Sequence, residues 1–492
     1  MKRFARALAA LLIASIVLAG CSAPPTTPST PSDTGPKKGG TLVVGMSGDP
    51  QTFNPVARVD DYFWGVAQNV YSRLIKLNNN QSITSDLAKS WDVSADGLTI
   101  TFKLHENVKW HDGTPFTSKD VKFTFDTAFE KTSFVTSMIS SLKEISCPDD
   151  NTVVMTLKNP DATFLGYLAW YGTFIVPEHI FAGDAWDKGT EIKPVGTGPF
   201  KFVEWKPSVS ITLERNDDYF IQAPYVDKVV YSIIPDTTTA TQAFLNGDID
   251  ILGRTPATQD IAGMLQNPNV TAKMYMMPSR YYFVLNNTRA PFDKLEMRQA
   301  FAYALNNDEL VEKATNGVNT AAEYWVSPMY EWAVNKDAKI PAFDAAKAVQ
   351  LIEQAGYKKD SSGYYLTIKA LLVDSGAFKP LTEVAKDQLD KVGIKVEITL
   401  LEASAWQAAI DAFDFDMVMY NGYQGPEVGC LGSRIIGGAS NNKMGYANSE
   451  LDGLMQEAMT LGSESQKEER AAKYREVHAI LAQDLPMYPV CE

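Results

Sequence analysis

The sequence predicts an α/β protein of several domains, on three observations. Its second half alternates strand-like and helix-like segments, the pattern of parallel strands joined by crossover helices. Its first half carries short runs with a two-residue hydrophobic period, as half-buried strands do. Third, 492 residues with 45% hydrophobic and 21% charged side chains supply enough chain and apolar content for two or three cores. From Gly39 onward no apolar run approaches the about eighteen residues of a membrane helix, and no repeat at a period of roughly 20–50 residues recurs.

Lys2, Arg3 and Arg6 precede an apolar run over residues 7–19 that ends in small Ala19 and Gly20, the layout of a signal peptide over residues 1–20. Leu18-Ala19-Gly20-Cys21 looks like a lipobox, in which Cys21 becomes the lipidated N-terminus; the alternative is ordinary secretion with an incidental cysteine. Residues 22–38 hold five prolines and no large apolar side chain, so residues 21–38 read as a lipidated cysteine and a disordered tether. Removing residues 1–20 leaves 42 Lys and Arg against 59 Asp and Glu, a net charge of −17. That sign excludes a nucleic-acid backbone binder and leaves lipid at Cys21 as the only membrane contact. The expected product is a monomer outside the cytoplasm, at the cell surface or in the periplasm.

Thr41–Met46 reads as a buried strand, Leu98–Leu104 as an alternating strand after the Asp96-Gly97 turn, and Asn151–Leu157 as another. Between them Thr117 stands three residues before Asp120, a capping-box spacing that opens a helix through about Phe129. A strand over 365–373 then leads to a helix over 380–391 stopped by Gly393, and Ile394, Val396, Ile398 and Leu400 alternate as the next strand. A helix over 403–412 and a strand over 415–421 follow. Such an order implies a doubly wound lobe with parallel pairing, whose ligands sit at the carboxyl ends of the strands. That rule points to the loop after Asn421.

The sequence has no Gly-x-Ser-x-Gly, no Walker A and no His-Glu-x-x-His, so no enzyme and no cofactor are expected. Four histidines, His105, His111, His179 and His478, are too few and too scattered for a dedicated metal cage. Cys147, Cys430 and Cys491 remain after processing, an odd number whose pairing is open.

Five blocks carry a resemblance. They are Gly39-Gly40-Thr41-Leu42 with Asp49–Pro55; Asp96–Leu104 through Val108-Lys109-Trp110-His111-Asp112-Gly113 to Pro115–Val121; Gly196-Thr197-Gly198-Pro199-Phe200 with Asn216 and Tyr219; Ala243–Asp250; and Asn286 with Phe292, Arg298–Phe301, Ala304 and Leu305. Together they resemble the family 5 solute-binding proteins of ABC transporters, the receptors of peptide, dipeptide and nickel importers. The resemblance implies a bilobal, hinged fold of the periplasmic-binding-protein type, cluster C, with an extra domain inserted in the first lobe. Lobe 1 would comprise 39–75, 190–285 and 470–492, the inserted domain 76–189, and lobe 2 286–469, with crossings near Arg280–Asn286 and within 470–490. It further implies a short peptide ligand, partnership with an ABC permease and its ATPase subunits, and some tens of residues beyond the Asp484–Pro489 motif, where this sequence ends at Glu492. An oligosaccharide ligand, suggested by 11% aromatic residues with nine Trp, a nickel chelate, and a sensor or adhesion lipoprotein are the alternatives.

In peptide-binding relatives, an Asp of an Asp-Pro pair in a Gly-rich segment takes the peptide ammonium. Glu427 stands at that place, Val428 replaces the proline, and Asn421 and Gly422 begin the segment. Arg434, seven residues on, is the candidate for the carboxylate; the plainer reading of both is a charge on a surface loop. Tyr423, Trp406 and Tyr420 are candidate pocket walls, as are Tyr62, Phe63 and Trp64, against a role in the core. Gln51, Thr52 and Asn54, with Asp49, lie on the loop after the first strand and could meet ligand; the alternative is turn chemistry around Pro50 and Pro55.

Overall fold

Ile100, Phe102 and Leu104 are buried while Lys103 between them is exposed, so the alternation becomes a strand, Thr99–Leu104, with one face in a core. The computed structural model describes residues 36–492 except 57–59, 132–134, 137–138, 171–172, 184–192, 257, 273–275 and 374. The signal peptide, Cys21 and most of the tether lie outside the described residues. Strand 99–104 belongs to a four-stranded antiparallel sheet in the order 88–93, 99–104, 152–157, 142–149. Phe102, Trp110, Val121, Phe129 and Phe164 fill the core beneath it.

Thr117 caps the helix as its spacing predicts: its hydroxyl accepts from Lys119 N (3.3 Å), and Asp120 Oδ2 accepts from Thr117 N (2.9 Å). The α-helix then covers only Ser118–Phe123, continuing as a π turn over Thr124–Ala128 and a 3-10 turn over Phe129–Lys131. Thr124 sits at the change, donating back to Asp120 O (2.7 Å) and accepting from Val176 N (3.1 Å). A hydroxyl that competes for helix carbonyls in this way loosens the regular ladder.

Two of the quoted blocks clamp each other. Gly196 N donates to His111 Nδ1 (3.2 Å), which leaves the ring proton on Nε2 to donate to Gly198 O (3.0 Å), and Asn216 Nδ2 donates to the same oxygen (3.0 Å). A Cβ at Gly196 would stand 1.8 Å from Val70 O, so the backbones approach as only glycine allows. These contacts hold the fold together.

Two five-stranded sheets centre the two lobes. The first has the order 251–252, 41–46, 228–233, 210–215, 200–206, with 41–46 parallel to both neighbours and the last two pairings antiparallel. Its core includes Phe63, Phe174, Ile211 and Leu213. The second has the order 394–401, 366–373, 417–423, 279–285, 487–491. Strand 366–373 runs parallel to 394–401 and 417–423, with helices Phe378–Lys391 and Ala403–Asp411 in the crossovers and Gly393 at φ +82° after the first of them. The remaining strands, 279–285 and 487–491, are antiparallel, so the sheet is mixed rather than wholly parallel. The third parallel strand ends at Tyr423, not Asn421, because Gly422 and Tyr423 stay paired with Arg280 and Ser279. Phe283, Phe301, Trp325 and Leu389 anchor the core of this lobe. No helix among the described residues is long and apolar enough to cross a membrane.

Candidate functional site

The carboxyl end of strand 417–423 feeds a loop and two short helical turns, Val428–Leu431 and Gly432–Ile435. Arg434, on the second turn, reaches back over the strand: Nη1 donates to Tyr282 Oη (2.7 Å) and Nη2 to Tyr423 O (2.8 Å). Gly422 makes room for it, since a Cβ there would lie 2.5 Å from Arg434 Nη2. Beside the guanidinium is a cavity of about 200 Å³, walled by Tyr282 and Tyr420 and rimmed by Asn421, Asn441 and Lys443. Lys443 Nζ also meets Asp411 Oδ1 at 2.8 Å on its outer side. Trp406 lies behind Tyr420, stacked at 5.5 Å between ring centroids and 16° between planes.

Glu427 faces the other way. It caps the Val428–Leu431 turn by accepting from Gly429 N, and its Oε2 accepts from Tyr474 Oη (3.2 Å). Its Oε1 is 3.5 Å from Arg470 Nε on the helix Lys467–Asp484. Burial pushes the Glu427 carboxyl up to about 7, against the Arg470 charge and the two hydrogen bonds. The segment 161–170 seals this corner from the opposite lobe. A Cβ on Gly166 would touch Pro426 (2.9 Å), Ala162 N donates to Met459 O (2.8 Å), and Trp170 lies 5.1 Å from the Tyr423 ring. Tyr423 Oη also donates to Gln81 Oε1.

With this geometry in view, the comparisons decide the family. Residues 82–430 match the bacterial extracellular solute-binding proteins, family 5 Middle. The chain belongs to this family. The oligopeptide-binding protein AppA of Bacillus subtilis strain 168 is 30% identical over 97% of this chain and 91% of AppA, and heme-binding protein A of Haemophilus influenzae is 28% identical over 99% and 93%. Among solved structures, the ABC transporter substrate-binding protein CtaP of Listeria monocytogenes superposes with a TM-score of 0.83 at 27% identity, covering 92% of this chain and 93% of CtaP. AppA of Bacillus subtilis in complex with a nonapeptide gives 0.75 at 28% identity, over 93% and 94%. The fold is thus the bilobal α/β fold of periplasmic binding proteins, and the chain is an extracellular solute-binding protein rather than an enzyme.

On the first lobe of this family 5 protein, the loop after strand 41–46 divides its predicted residues. Thr52 and Asn54 are buried, Thr52 Oγ1 accepting from Asn54 N (3.0 Å) and Asn54 Oδ1 from Val56 N (2.9 Å), so both side chains serve the turn. Gln51 is exposed and, with Asp49, Tyr62 and Arg254, borders an open groove of about 1,020 Å³ floored by Leu42, Val44 and Tyr231. Asp49 is held by Trp205 Nε1 (2.7 Å) and Ser208 N (2.8 Å). Phe63 is wholly buried in the core, and Trp64 packs at its margin 5.4 Å from the Phe174 ring. Of the expected residues, Arg434, Asn421 and Tyr420 line the cavity and Gly422 makes room for the guanidinium, whereas Trp406 is a core residue behind Tyr420 and the Tyr423 ring faces Trp170 and Gln81, so neither is a wall of this cavity; Gln51, Thr52, Asn54 and the Glu427 carboxylate stand apart from it. Sequence reasoning missed Tyr282, Lys443, Arg470 and Tyr474. Lys443 follows the polar turn Ala439–Asn442 with no signal of its own, and Arg470 and Tyr474 lie on a helix whose register against Glu427 only the fold supplies. Cys147, Cys430 and Cys491 form no disulfide among the described residues.

The dependence of Arg434 on Gly422 is testable. Gly422→Ala should push the guanidinium off Tyr282 and Tyr423 and cost about 1–2 kcal/mol of stability, as overpacking does. Urea unfolding reads this, and an unchanged midpoint would mean that Arg434 is not held by this contact.

Proposed function

We propose that this solute-binding protein is the receptor of an ABC importer, held at the membrane by lipid on Cys21, which captures short peptides of two to a few residues between its closing lobes. It delivers them to the permease, whose ATPase subunits drive uptake. In this reading the first lobe is 39–75 with 190–278, carrying 76–189 as an inserted domain, and the second is 279–492: the expected first-lobe segments 279–285 and 470–492 belong instead to the second lobe, because strands 279–285 and 487–491 pair in its sheet and Tyr474 and Leu481 pack in its core. The observation that carries it is the Arg434 cavity beside the middle of strand 417–423, where a cation and two tyrosines can take a peptide carboxylate and an adjoining side chain. The kinship with AppA, solved with a nonapeptide, supports the ligand class.

Calorimetry against panels of peptides and oligosaccharides tests the reading. Peptides are expected to bind, and Arg434→Gln to weaken them about 10–100-fold, the worth of a charge-assisted hydrogen bond. Heat from a glycan with none from any peptide would replace the peptide by a sugar.

A further inference from the structure

We infer that recognition here is led by an anion. The cavity beside Arg434 takes the carboxylate of the ligand's terminal residue, while Glu427 supplies no counter-charge to the ligand's amine, because its carboxylate is already paired with Arg470. This rests on the binding reading above and deepens it into a ligand class: small carboxylates, N-blocked as readily as free.

Two cations border the cavity, Arg434 and Lys443, and no Asp or Glu lines it among the described residues. A guanidinium has five N–H donors; the two bonds described for Arg434, to Tyr282 Oη and Tyr423 O, leave others to donate, and no carboxylate pairs with it among the described residues. Lys443 shares its charge with Asp411, which lies outward and is half exposed, so the inner field remains positive. A volume of about 200 Å³ equals roughly six or seven waters at about 30 Å³ each. That is room for one terminal residue, and the rest of a peptide would leave the cavity past Asn421.

Glu427 Oε2 accepts from Gly429 N and Tyr474 Oη, while Oε1 is buried with no hydrogen-bond partner among the described residues and faces the Arg470 charge, Nε at 3.5 Å. Arg470 is itself fixed by Leu461 O and lies 5.2 Å from the Trp332 ring centroid. A single Cβ added at Gly429 would already sit 2.7 Å from Thr163 Cγ2 and 2.8 Å from both Glu427 Oε2 and Tyr474 Oη, so the Oε2 side of the carboxylate is closed by packing. The acid and its internal cation tie the 424–431 loop to the helix Lys467–Asp484, and Glu427 does not line the cavity.

Calorimetry on the full chain with one tripeptide in three forms, free, N-acetylated and C-amidated, tests this. N-acetylation should change Kd by less than about threefold and amidation should weaken it more than tenfold; Arg434→Gln should bring the free and amidated forms level, with Arg434→Lys restoring part of the difference. Glu427→Gln should leave the ratio of free to acetylated peptide unchanged. Tenfold loss on acetylation that disappears in Glu427→Gln, or indifference to amidation, would overturn the inference. If no peptide binds at all, the peptide reading fails on its own, and N-acetyl amino acids then judge the anion site. They should raise the Tm of the wild type and not of Arg434→Gln, and an absence of shift in the wild type would remove the site. Circular dichroism of each variant separates lost binding from lost fold.

Discussion

Arg280→Met should lower the unfolding free energy of the second lobe by about 3–5 kcal/mol, because it strands a buried carboxylate. Arg280 is 2% exposed, in the strand that lies between 417–423 and 487–491 in the second sheet. Its Nη1 donates to Tyr324 O (2.6 Å), and its Nη2 pairs with Glu492 Oε1. Glu492 Oε2 accepts from Ser327 Oγ (3.1 Å). Burial lowers the Arg280 pKa and the Glu492 charge opposes this, so each charge is tolerated in the interior because the other is there. Glu492→Gln should be comparably harmful, leaving a guanidinium whose Nε already lacks a partner among the described residues. The double variant Arg280→Met with Glu492→Met should lose much less than the sum of the single losses, since apolar replacement of both partners removes the desolvation penalty with the pair. Urea unfolding of the four proteins reads the coupling directly, and single variants within 1 kcal/mol of wild type, a bound well under the handicap of a stranded charge, would show that water reaches the pair. The pair sits where strands 279–285 and 487–491 bring two distant parts of the chain into one sheet, so loosening it should also loosen the geometry between the lobes.

How far the sequence reached can be argued from single residues. Local signals translated directly: Ile100, Phe102 and Leu104 into a buried strand face, Gly393 into a left-handed stop, Thr117 and Asp120 into a cap. The blocks that carried the resemblance also have a local logic, which the His111 clamp on Gly196 and Gly198 makes visible. What stayed hidden depends on long-range register. The antiparallel strands 279–285 and 487–491 turn a parallel sheet into a mixed one, yet they lie about two hundred residues apart in the chain. Glu427 looked like a ligand's counter-ion from its loop context, and only the approach of the helix Lys467–Asp484 gives it Arg470 and Tyr474. Thr52 and Asn54 are polar for the sake of their own turn, a role that sequence alone states as readily as ligand contact. The cavity itself arises because Lys443 and Arg434 come from one side of a loop and Tyr282 and Tyr420 from neighbouring strands.

Acid should destabilise the protein through His478. Its imidazole is 3% exposed, Nδ1 accepts from Asn335 N (3.3 Å), and Nε2 has no partner among the described residues. Burial, reinforced by the charges of Arg280 and Arg475, lowers its pKa to about 3. An unfolded chain protonates the same ring near pH 6.5, so below that pH the unfolded state gains a proton that the native state refuses. Stability then falls with pH, by about 3 kcal/mol at pH 4 from this residue. His111, lowered to about 4 by burial, acts with the same sign. Glu427 acts against both: its carboxyl titrates near 7 when folded and near 4.3 when unfolded, so the native state holds the extra proton between those values and gains stability as pH falls from 7. The wild type should therefore show a shallow loss from pH 7 to pH 4.5 and a steeper one below, where Glu427 no longer compensates. His478→Gln should flatten the profile between pH 6.5 and pH 4, whatever its absolute stability, and Glu427→Gln should steepen it between pH 7 and pH 4.5. Urea midpoints taken every half unit from pH 4 to pH 8 read these slopes. A His478→Gln profile parallel to wild type would mean that the native ring takes up its proton as readily as the unfolded one, which its burial beside two arginines forbids.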